Sequence, residues 1–217
     1  MPNSGQQLGR PRDAQIDRTV LRAARELLAE AGYAGVTMDA TAARAGVGKA
    51  AIYRRFGSKA ELLFAAAVHG MDIEPPPDSG SLRGDLHALA RIIDQRLSSP
   101  GARQVAPPLL AEMARDPALA ARFRETFIAR EQHDLAAILE RAVRRGELPG
   151  AVDPSLAHLL ISGPLFMALL AFQRPVDDGL LHGIASVIAA GLIARAHEET
   201  GRESGAAGGE SRPAGER

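Results

Sequence analysis

Apolar residues recur along the chain at the 3.6-residue spacing of an α-helix, and nothing after residue 75 alternates like a half-buried β-strand. Ile16, Val20 and Leu27 give an apolar face to a first helix over residues 13–31, which Gly32 ends. Three shorter helices follow between residues 37 and 74. Longer apolar runs then predict helices over residues 81–98, 104–115, 117–145, 154–173 and 177–197. The pattern predicts an all-α fold of about nine helices.

Helix boundaries are clearest at two Asp-Pro pairs. Asp116 and Asp153 suit the N-cap, and the prolines that follow them suit the first helical position, where no backbone donor is needed. Residues 75–77 are consecutive prolines, which favour polyproline geometry, so a domain boundary is predicted near them. Residues 198–217 are rich in Gly, Ser, Ala and Glu and lack large apolar residues, which predicts a disordered tail.

Residues 37–62 predict a helix, a tight glycine turn and a second short helix. Thr37 is a favourable N-cap, and Gly46 permits the positive φ that a sharp reversal needs. Ile52 and Phe56 lie one turn apart on the buried face of the second helix, which Gly48 caps. Its outward face carries Lys49, Ala50, Ala51, Tyr53 and Arg54. This arrangement is a helix-turn-helix, and it indicates duplex DNA as the partner.

Five basic residues lie between positions 44 and 59, with no carboxylate among them along the chain. They are Arg44, Lys49, Arg54, Arg55 and Lys59. Each Lys or Arg that neutralises a phosphate releases condensed counterions and favours association. The small residues Gly48, Ala50 and Ala51 let the backbone enter a major groove about 12 Å wide. An ordinary solvated helix face is the competing interpretation.

Composition narrows the class of protein further. The net charge is zero, but residues 1–71 hold ten basic and six acidic residues, so a basic head precedes an acidic body. The hydrophobic content of 46% is ample for a core. Without cysteine there are no disulfides, and residues 1–7 lack the apolar stretch of a secretory signal, so a cytoplasmic protein is expected.

The stretch from about Arg10 to Phe64 resembles the tetracycline-repressor (TetR) family of bacterial transcription regulators. Several pieces at fixed spacing carry the likeness, namely residues 30–33, 35–38, 43–49, 52–56 and 58–62. The later part resembles, less tightly, the C-terminal half of a TetR subgroup. Residues 82–86, 114–117, 141–143, 145–148 and 163–165 carry that second likeness.

The resemblance implies roles for individual residues of the DNA-reading unit. Thr37, Tyr53 and Lys59 are expected to contact phosphates, and Arg44 to contact the DNA backbone from the end of the second helix. Lys49, Ala50, Ala51 and Arg54 are expected on the recognition helix. Two positions depart from the family pattern, because Gly48 replaces a hydroxyl residue or alanine and Ala51 replaces a small hydroxyl residue. Base reading is therefore expected to rest on Lys49 and Arg54, with the alanines against thymine methyl groups.

A short basic segment precedes the first predicted helix. Arg10 and Arg12 flank Pro11, which is expected to keep this segment extended. It resembles the arms that some TetR members lay along DNA, and such arms enter minor grooves. A disordered, soluble start is the alternative.

The predicted domains are a basic arm (1–12), a helix-turn-helix domain (13–57), a connecting helix (58–74), a ligand-binding and dimerisation domain (75–197) and a tail (198–217).

The last two predicted helices are almost wholly apolar. A membrane hairpin needs about 20 residues per span, and these runs are shorter and broken, so no membrane contact is expected. An internal core of a monomer remains an alternative. The favoured interpretation is a homodimer built on a four-helix bundle. The residues predicted at its interface are Leu156, Leu160, Ala185, Ile188, Ala189 and Leu192.

The large flexible and aromatic residues of the body are candidates for a ligand pocket. TetR members enclose a small molecule in this domain, so the resemblance implies a pocket lined by Met113, Phe123, Phe127, Phe166 and Met167. Plain core packing is the competing interpretation for each of them. The six histidines show no metalloprotease spacing, and neither a nucleophile elbow nor a phosphate-binding loop is present, so no catalytic site, metal or cofactor is predicted.

These observations predict a DNA-binding transcription regulator, specifically a repressor released from a pseudo-palindromic operator by a small apolar or amphipathic effector. Two alternatives stay open. One is a regulator that binds DNA without regard to ligand, and the other is an all-helical small-molecule-binding protein without DNA activity.

Overall fold

The structure is a computed structural model that describes residues 10–69 and 76–207, with side chains described for residues 15–68 and 76–198. In that part of the chain every regular element is helical. The helices are α1 (Arg10–Gly35), α2 (Met38–Ala45), α3 (Lys49–Tyr53), α4 (Lys59–Phe64), α5 (Leu82–Leu97), α6 (Pro100–Met113), α7 (Pro117–Phe123), α8 (Ala129–Arg144), α9 (Pro154–Phe166) and α10 (Asp178–Ala207).

Three of these helices continue into single π-helical turns. The turn Ala65–His69 extends α4, Arg124–Ile128 joins α7 to α8 without a break, and Met167–Ala171 extends α9. When α7 and α8 are counted as one continuous helix, the described part of the chain has nine. The all-α prediction is therefore confirmed.

The chain divides into two compact units. The first comprises Met1–Ile73 with Gln95–Arg124, and the second comprises Glu74–Asp94 with Glu125–Arg217. The first unit therefore groups α6 and α7 with α1 to α4, although the sequence pattern assigned α6 and α7 to the region after residue 75. The predicted domain boundaries remain a prediction.

The first unit is organised around α4, which packs along α6 and against α1. Val20 and Leu28 of α1 are buried here, together with Leu62 and Leu63 of α4. A helix with apolar residues at such spacings buries one face against its neighbours. This core fixes the base on which α2 and α3 stand.

In the second unit, α9 packs between α8 and α10. Leu135 and Ile138 of α8 are buried, as are Ile161 and Leu165 of α9. Pro164 lies inside α9, where it has no backbone N–H to donate to the preceding turn. The π turn that begins at Met167 follows it closely.

A buried carboxylate also helps to hold the second unit together. Asp85 of α5 is fully buried and accepts hydrogen bonds from the Ser79 backbone N–H (2.8 Å) and hydroxyl (2.7 Å). Arg145, just after α8, donates to the same carboxylate at 3.2 Å. Burial raises the pKa of Asp85, but these hydrogen bonds outweigh it and hold the pKa below its ordinary value.

Several predicted helix boundaries need correction. The first helix begins at Arg10 instead of residue 13, because Pro11 is compatible with a first helical turn and does not force an extended chain. Gly32 takes φ 64° and interrupts α1, as predicted, but the chain resumes helical geometry up to Gly35. The helix predicted over residues 104–115 is α6, which starts four residues earlier because Ser99 caps it and Pro100 occupies its first position.

The last helix is longer than predicted. α10 runs to Ala207, ten residues past the predicted end at 197 and into the predicted tail. Its extension, residues 198–207, holds three Glu, two Ala and one Arg, which are favourable helix formers, and its two glycines do not end it. Residues 208–217 lie outside the described part of the chain.

The starts predicted at the two Asp-Pro pairs are confirmed, because the Asp116 and Asp153 carboxylates accept from the first free N–H groups of α7 and α9.

Candidate DNA-binding interface

The turn between α2 and α3 follows from two residues. The Thr37 hydroxyl oxygen accepts the Ala40 backbone N–H at 3.0 Å and so caps α2. Gly46 ends α2 with φ 66°, a left-handed conformation that glycine adopts without a Cβ penalty. Thr37 is exposed, and its hydroxyl hydrogen is still available to donate to a phosphate.

Two buried side chains hold the recognition helix α3 against the rest of the first unit. Ile52 is fully buried and Phe56 is 7% exposed, as their spacing predicts. Gly48 is the N-cap with extended backbone (φ −68°, ψ 143°) and supplies no side-chain cap. The outward surface is exposed at Lys49, Ala50, Tyr53 and Arg54, and half-buried at Ala51. The structure therefore brings the predicted reading residues to one face.

Ion pairs within the head engage several of its basic residues. Arg44 forms a two-pronged pair with Glu30 of α1, with both N–O distances at 2.9 Å, and Glu26 lies 3.6 Å away. The hydrogen bond from Arg44 lowers the pKa of Glu30, and the same pair raises the pKa of Arg44. A phosphate contact by Arg44 thus competes with an acid that lies far from it in sequence.

Lys49 and Arg55 are paired in the same way. Lys49 donates to Asp39 of α2, and this hydrogen bond raises the pKa of Lys49. Arg55 donates to Asp17 of α1 and to the Ala51 carbonyl at 3.0 Å. The sequence window 44–59 contains no carboxylate, yet helix packing brings acids from α1 and α2 to its cations. These acids are functional neighbours that sequence reasoning missed.

The two remaining basic residues of the window differ from each other. Lys59 lies over the Tyr33 ring, with its ammonium nitrogen 4.4 Å from the ring centroid. Such a cation–π contact leaves the charge in place. Arg54 is exposed, and no ion pair to it is seen within residues 15–68 and 76–198. On the outward face of α3, Arg54 can therefore reach DNA without first leaving a carboxylate, whereas Lys49 is paired with Asp39.

Comparisons with known proteins match both halves of the chain. A family model described as bacterial regulatory proteins of the tetR family matches residues 20–66. A second model, described as a tetracyclin repressor-like C-terminal domain, matches residues 76–188. The chain belongs to the TetR family.

Individual relatives agree with this assignment. An uncharacterised helix-turn-helix-type transcriptional regulator of Mycobacterium tuberculosis is 35% identical over 170 residues, which span 77% of this chain and 81% of that protein. The DNA-binding transcriptional repressor TetR of Mycobacteroides abscessus is 34% identical over 174 residues, spanning 75% and 90%. The crystal structure of TetR family transcription regulator SCO0332 superimposes with a TM-score of 0.68 at 26% identity, over 82% of this chain and 98% of that one.

TetR family members are helix-turn-helix transcription regulators that bind operator DNA, dimerise and bind small-molecule effectors. The chain is therefore a DNA-binding transcription regulator, as the relatives named above are described to be. Among the described residues, no three His, Asp or Glu side chains converge to hold a metal ion.

The basic arm predicted for this TetR member falls at the margin of the structure. The backbone of Arg10 and Arg12 is helical and belongs to α1, so the predicted extended arm is not present at these residues. Their side chains lie outside the part whose side chains the structure describes. Their contact with DNA stays a prediction.

The residues predicted at the TetR dimer interface differ in how far the single chain buries them. Ala185, Ile188, Ala189 and Leu192 are at most 6% exposed in the single chain, because they face its own helices. They offer almost no surface to a second copy in the single chain, and their place at the interface stays a prediction. Leu160 remains 41% exposed and Leu156 is half-buried. The large apolar side chains that reach the surface of α9, its π turn and α10 are Leu159, Leu160, Met167, Leu180 and Val187.

The residues predicted to line an effector pocket divide between the two units. Met113 and Phe123 belong to the first, and Phe127, Phe166 and Met167 to the second. Phe123 meets the Phe64 ring edge-on at 5.3 Å between centroids, which makes it a core residue of the first unit. Met167 is 46% exposed.

Each unit also carries a surface cavity, and none of the five predicted residues lines either one. A cleft of about 380 Å³ in the first unit is lined by Gly57, Glu112, Arg115 and Arg122 among others. A groove of about 360 Å³ in the second unit runs past Leu139, Val143 and Pro154.

Proposed function

We propose that this regulator is a repressor that binds a pseudo-palindromic operator as a homodimer and leaves it when a small apolar or amphipathic molecule binds. The outward face of α3 carries this proposal. Lys49, Tyr53 and Arg54 stay exposed there, while Ile52 on the opposite face and Phe56 just after the helix are buried. A short rigid helix with small residues at its centre suits entry into a major groove.

The exposed apolar surface of α9 and α10 supports the dimer. Leu159 is 69% exposed and Val187 is 75% exposed, values that cost hydration free energy in an isolated chain. Gly183, Ala190 and Gly191 are also exposed on α10, and small residues permit close helix packing. A twofold bundle built on this face would carry two recognition helices about 34 Å apart, one turn of DNA.

The same surface admits a membrane interpretation, which we do not favour. Residues Pro154–Ala171 and Asp178–Glu198 are long and apolar enough to span a bilayer, with 28% and 33% of their residues buried. Family membership favours a second copy of the chain as the cover for this surface. We infer a cytoplasmic protein without membrane contact.

Release by ligand is proposed as a shift between two populations of the dimer. A molecule that binds one arrangement of the effector domain better than the other moves the equilibrium toward it. A coupling of about 1 to 3 kcal/mol would weaken operator binding roughly 5- to 150-fold. The repressor of Mycobacteroides abscessus, which shares 34% identity, supports repression as the direction of control.

Mobility-shift measurements with the DNA upstream of the chain's own gene test this proposal. Specific retardation, followed by release with hits from a thermal-shift screen of small hydrophobic compounds, is expected. A regulator without a ligand response would keep its affinity with every compound that raises the melting temperature. A protein without DNA activity would not retard the fragment at all.

A further inference from the structure

An ion pair of the first unit lies directly behind the recognition helix. Glu61, in the first turn of α4, is 1% exposed. Its carboxylate accepts the Gly57 backbone N–H at 2.6 Å. Arg122 of α7 donates to both oxygens, through Nε at 3.3 Å and Nη2 at 3.1 Å. The Ser58 hydroxyl caps α4 by accepting the Glu61 N–H, so the carboxylate is held at a fixed place.

The same guanidinium also reaches the end of α3. Nη2 of Arg122 donates to the carbonyl of Arg55 at 3.0 Å. Arg54 is the C-cap of α3, so Arg55 is the first residue after the recognition helix. One side chain of α7 thus bridges the exit of α3 and the start of α4, although it lies more than 60 residues away along the chain.

The backbone at Gly57 lies close against this bridge. A Cβ added at Gly57 would lie 3.2 Å from Nη1 of Arg122 and 3.2 Å from Oε2 of Glu61. The edge-on contact of Phe64 with Phe123 holds α4 and α7 together one turn further on. A planar guanidinium with several donors in a fixed fork restricts orientation as well as distance. An apolar contact in place of Arg122 would cover the connection between α3 and α4 without fixing the angle between these helices.

We propose that Arg122 is a positioning residue that sets the angle of the recognition helix and thereby the operator half-site spacing that the dimer accepts. This inference rests on the proposed function, because half-site spacing has meaning only for a dimer on a two-part operator. Arg122 acts through Arg55 and Glu61, and it does not itself read DNA. If the contacts of Arg122 with Arg55 and Glu61 are lost, α3 samples several orientations. The dimer then binds operators of different half-site spacing with more similar affinities.

The test measures spacing preference separately from affinity. Wild-type protein first selects its operator from a random duplex library, and the selected operator is then lengthened and shortened by single base pairs between half-sites. Arg122→Lys keeps the charge but cannot serve both acceptors with the same geometry. Arg122→Ala and Glu61→Gln remove the bridge more completely. Arg115→Ala is the matched control, because Arg115 is exposed, lines the same cleft and carries the same charge.

The expected result is a spacing preference that falls roughly 2- to 30-fold in Arg122→Lys and is unchanged in Arg115→Ala. Thermal unfolding of each variant shows whether it is folded, and Arg122→Lys carries the test if Arg122→Ala does not fold. Equal loss on all spacings, or no change in preference, would overturn the inference and leave the proposed function intact. Wild-type protein that selects no two-part site would instead refute the proposed function, and this inference with it.

Discussion

Lys49, the first residue of the recognition helix, donates a hydrogen bond to Asp39 in the first turn of α2. The two residues are ten positions apart, and the turn at Gly46 brings them together. The pair holds the Lys49 ammonium at the surface where DNA is expected, yet neutralises part of its charge. Asp39 therefore weakens the electrostatic attraction of Lys49 for phosphates and bases.

Replacing Asp39 by asparagine should remove this ion pair and make the full charge of Lys49 available to DNA. We expect Asp39→Asn to tighten binding to operator and to random duplex, and to steepen the dependence of log Kd on log salt by about one unit as Lys49 gains a phosphate. Fluorescence anisotropy over a salt series measures both quantities. Asp94→Asn, which changes the same charge on α5, is the control. An unchanged slope in Asp39→Asn would show that Lys49 contacts no phosphate even when unpaired.

Arg54 should contribute more to operator recognition than Lys49, because it does not have to leave a carboxylate. Arg54→Ala is expected to cost about 1 to 3 kcal/mol on the operator if the side chain meets a base edge. Lys49→Ala should cost less. Arg103→Ala on α6 removes an exposed arginine elsewhere in the first unit and serves as control. Titrations with the selected operator measure which variant loses more binding affinity. A larger loss of affinity for Lys49→Ala than for Arg54→Ala would contradict this prediction.

Gly48 is a position where a hydroxyl should improve the interface. Its backbone is extended, and a Cβ placed on it would meet no atom within 4 Å, so serine fits without strain. We expect Gly48→Ser to tighten operator binding roughly 2- to 12-fold through one added hydrogen bond to a phosphate. Gly48→Ala adds the carbon without the hydroxyl and should not tighten binding. Equal affinities for the two variants would argue against a phosphate near residue 48.

The exposed apolar face of α10 should form the dimer. Val187→Glu places a charge at its most exposed apolar residue and is expected to weaken self-association about 100-fold or more. Val143→Glu introduces the same charge at an exposed valine of α8 and should leave the dimer intact. Sedimentation equilibrium over a concentration series distinguishes the two. A Val187→Glu protein that remains dimeric would move the interface away from this face.

Asp85 should make the stability of the second unit sensitive to acid. Its pKa is below the ordinary value in the folded protein, so its stabilising effect is full above the unfolded pKa and is lost as pH falls through the lowered folded pKa. Asp85→Asn is expected to lower the free energy of unfolding by about 3 kcal/mol at neutral pH. Urea unfolding between neutral pH and strong acid should show the wild type approaching the variant as pH falls. A constant difference would contradict this linkage.

Local rules of helix capping predicted much of the DNA-reading unit. Thr37 and Gly46 act at the two ends of α2, as the sequence predicted, and Ser58 caps α4 by the same local rule. The Glu61 carboxylate accepts hydrogen bonds from Gly57 and Arg122, and of these two partners only Gly57 lies within about one turn of it. Capping depends on residues within one turn, which is why the sequence alone identifies it.

Contacts between distant helices could not be predicted in the same way. The pairing of Arg44 with Glu30 depends on how α1 crosses α2, and the sequence window around Arg44 contains no sign of it. The inward face of α10 was equally hidden, because that helix is apolar on all sides and its periodicity does not select a face. Ala189 and Val187 differ by two positions, yet the first is buried and the second is exposed.

A hydroxyl-radical footprint of the protein on its selected duplex tests the central claim most directly. Two recognition helices in successive major grooves on one side of the DNA predict two protected patches, symmetric about a dyad and centred about 10 base pairs apart. Arg54→Ala should weaken both patches together. A single patch, or uniform protection without sequence preference, would contradict the account.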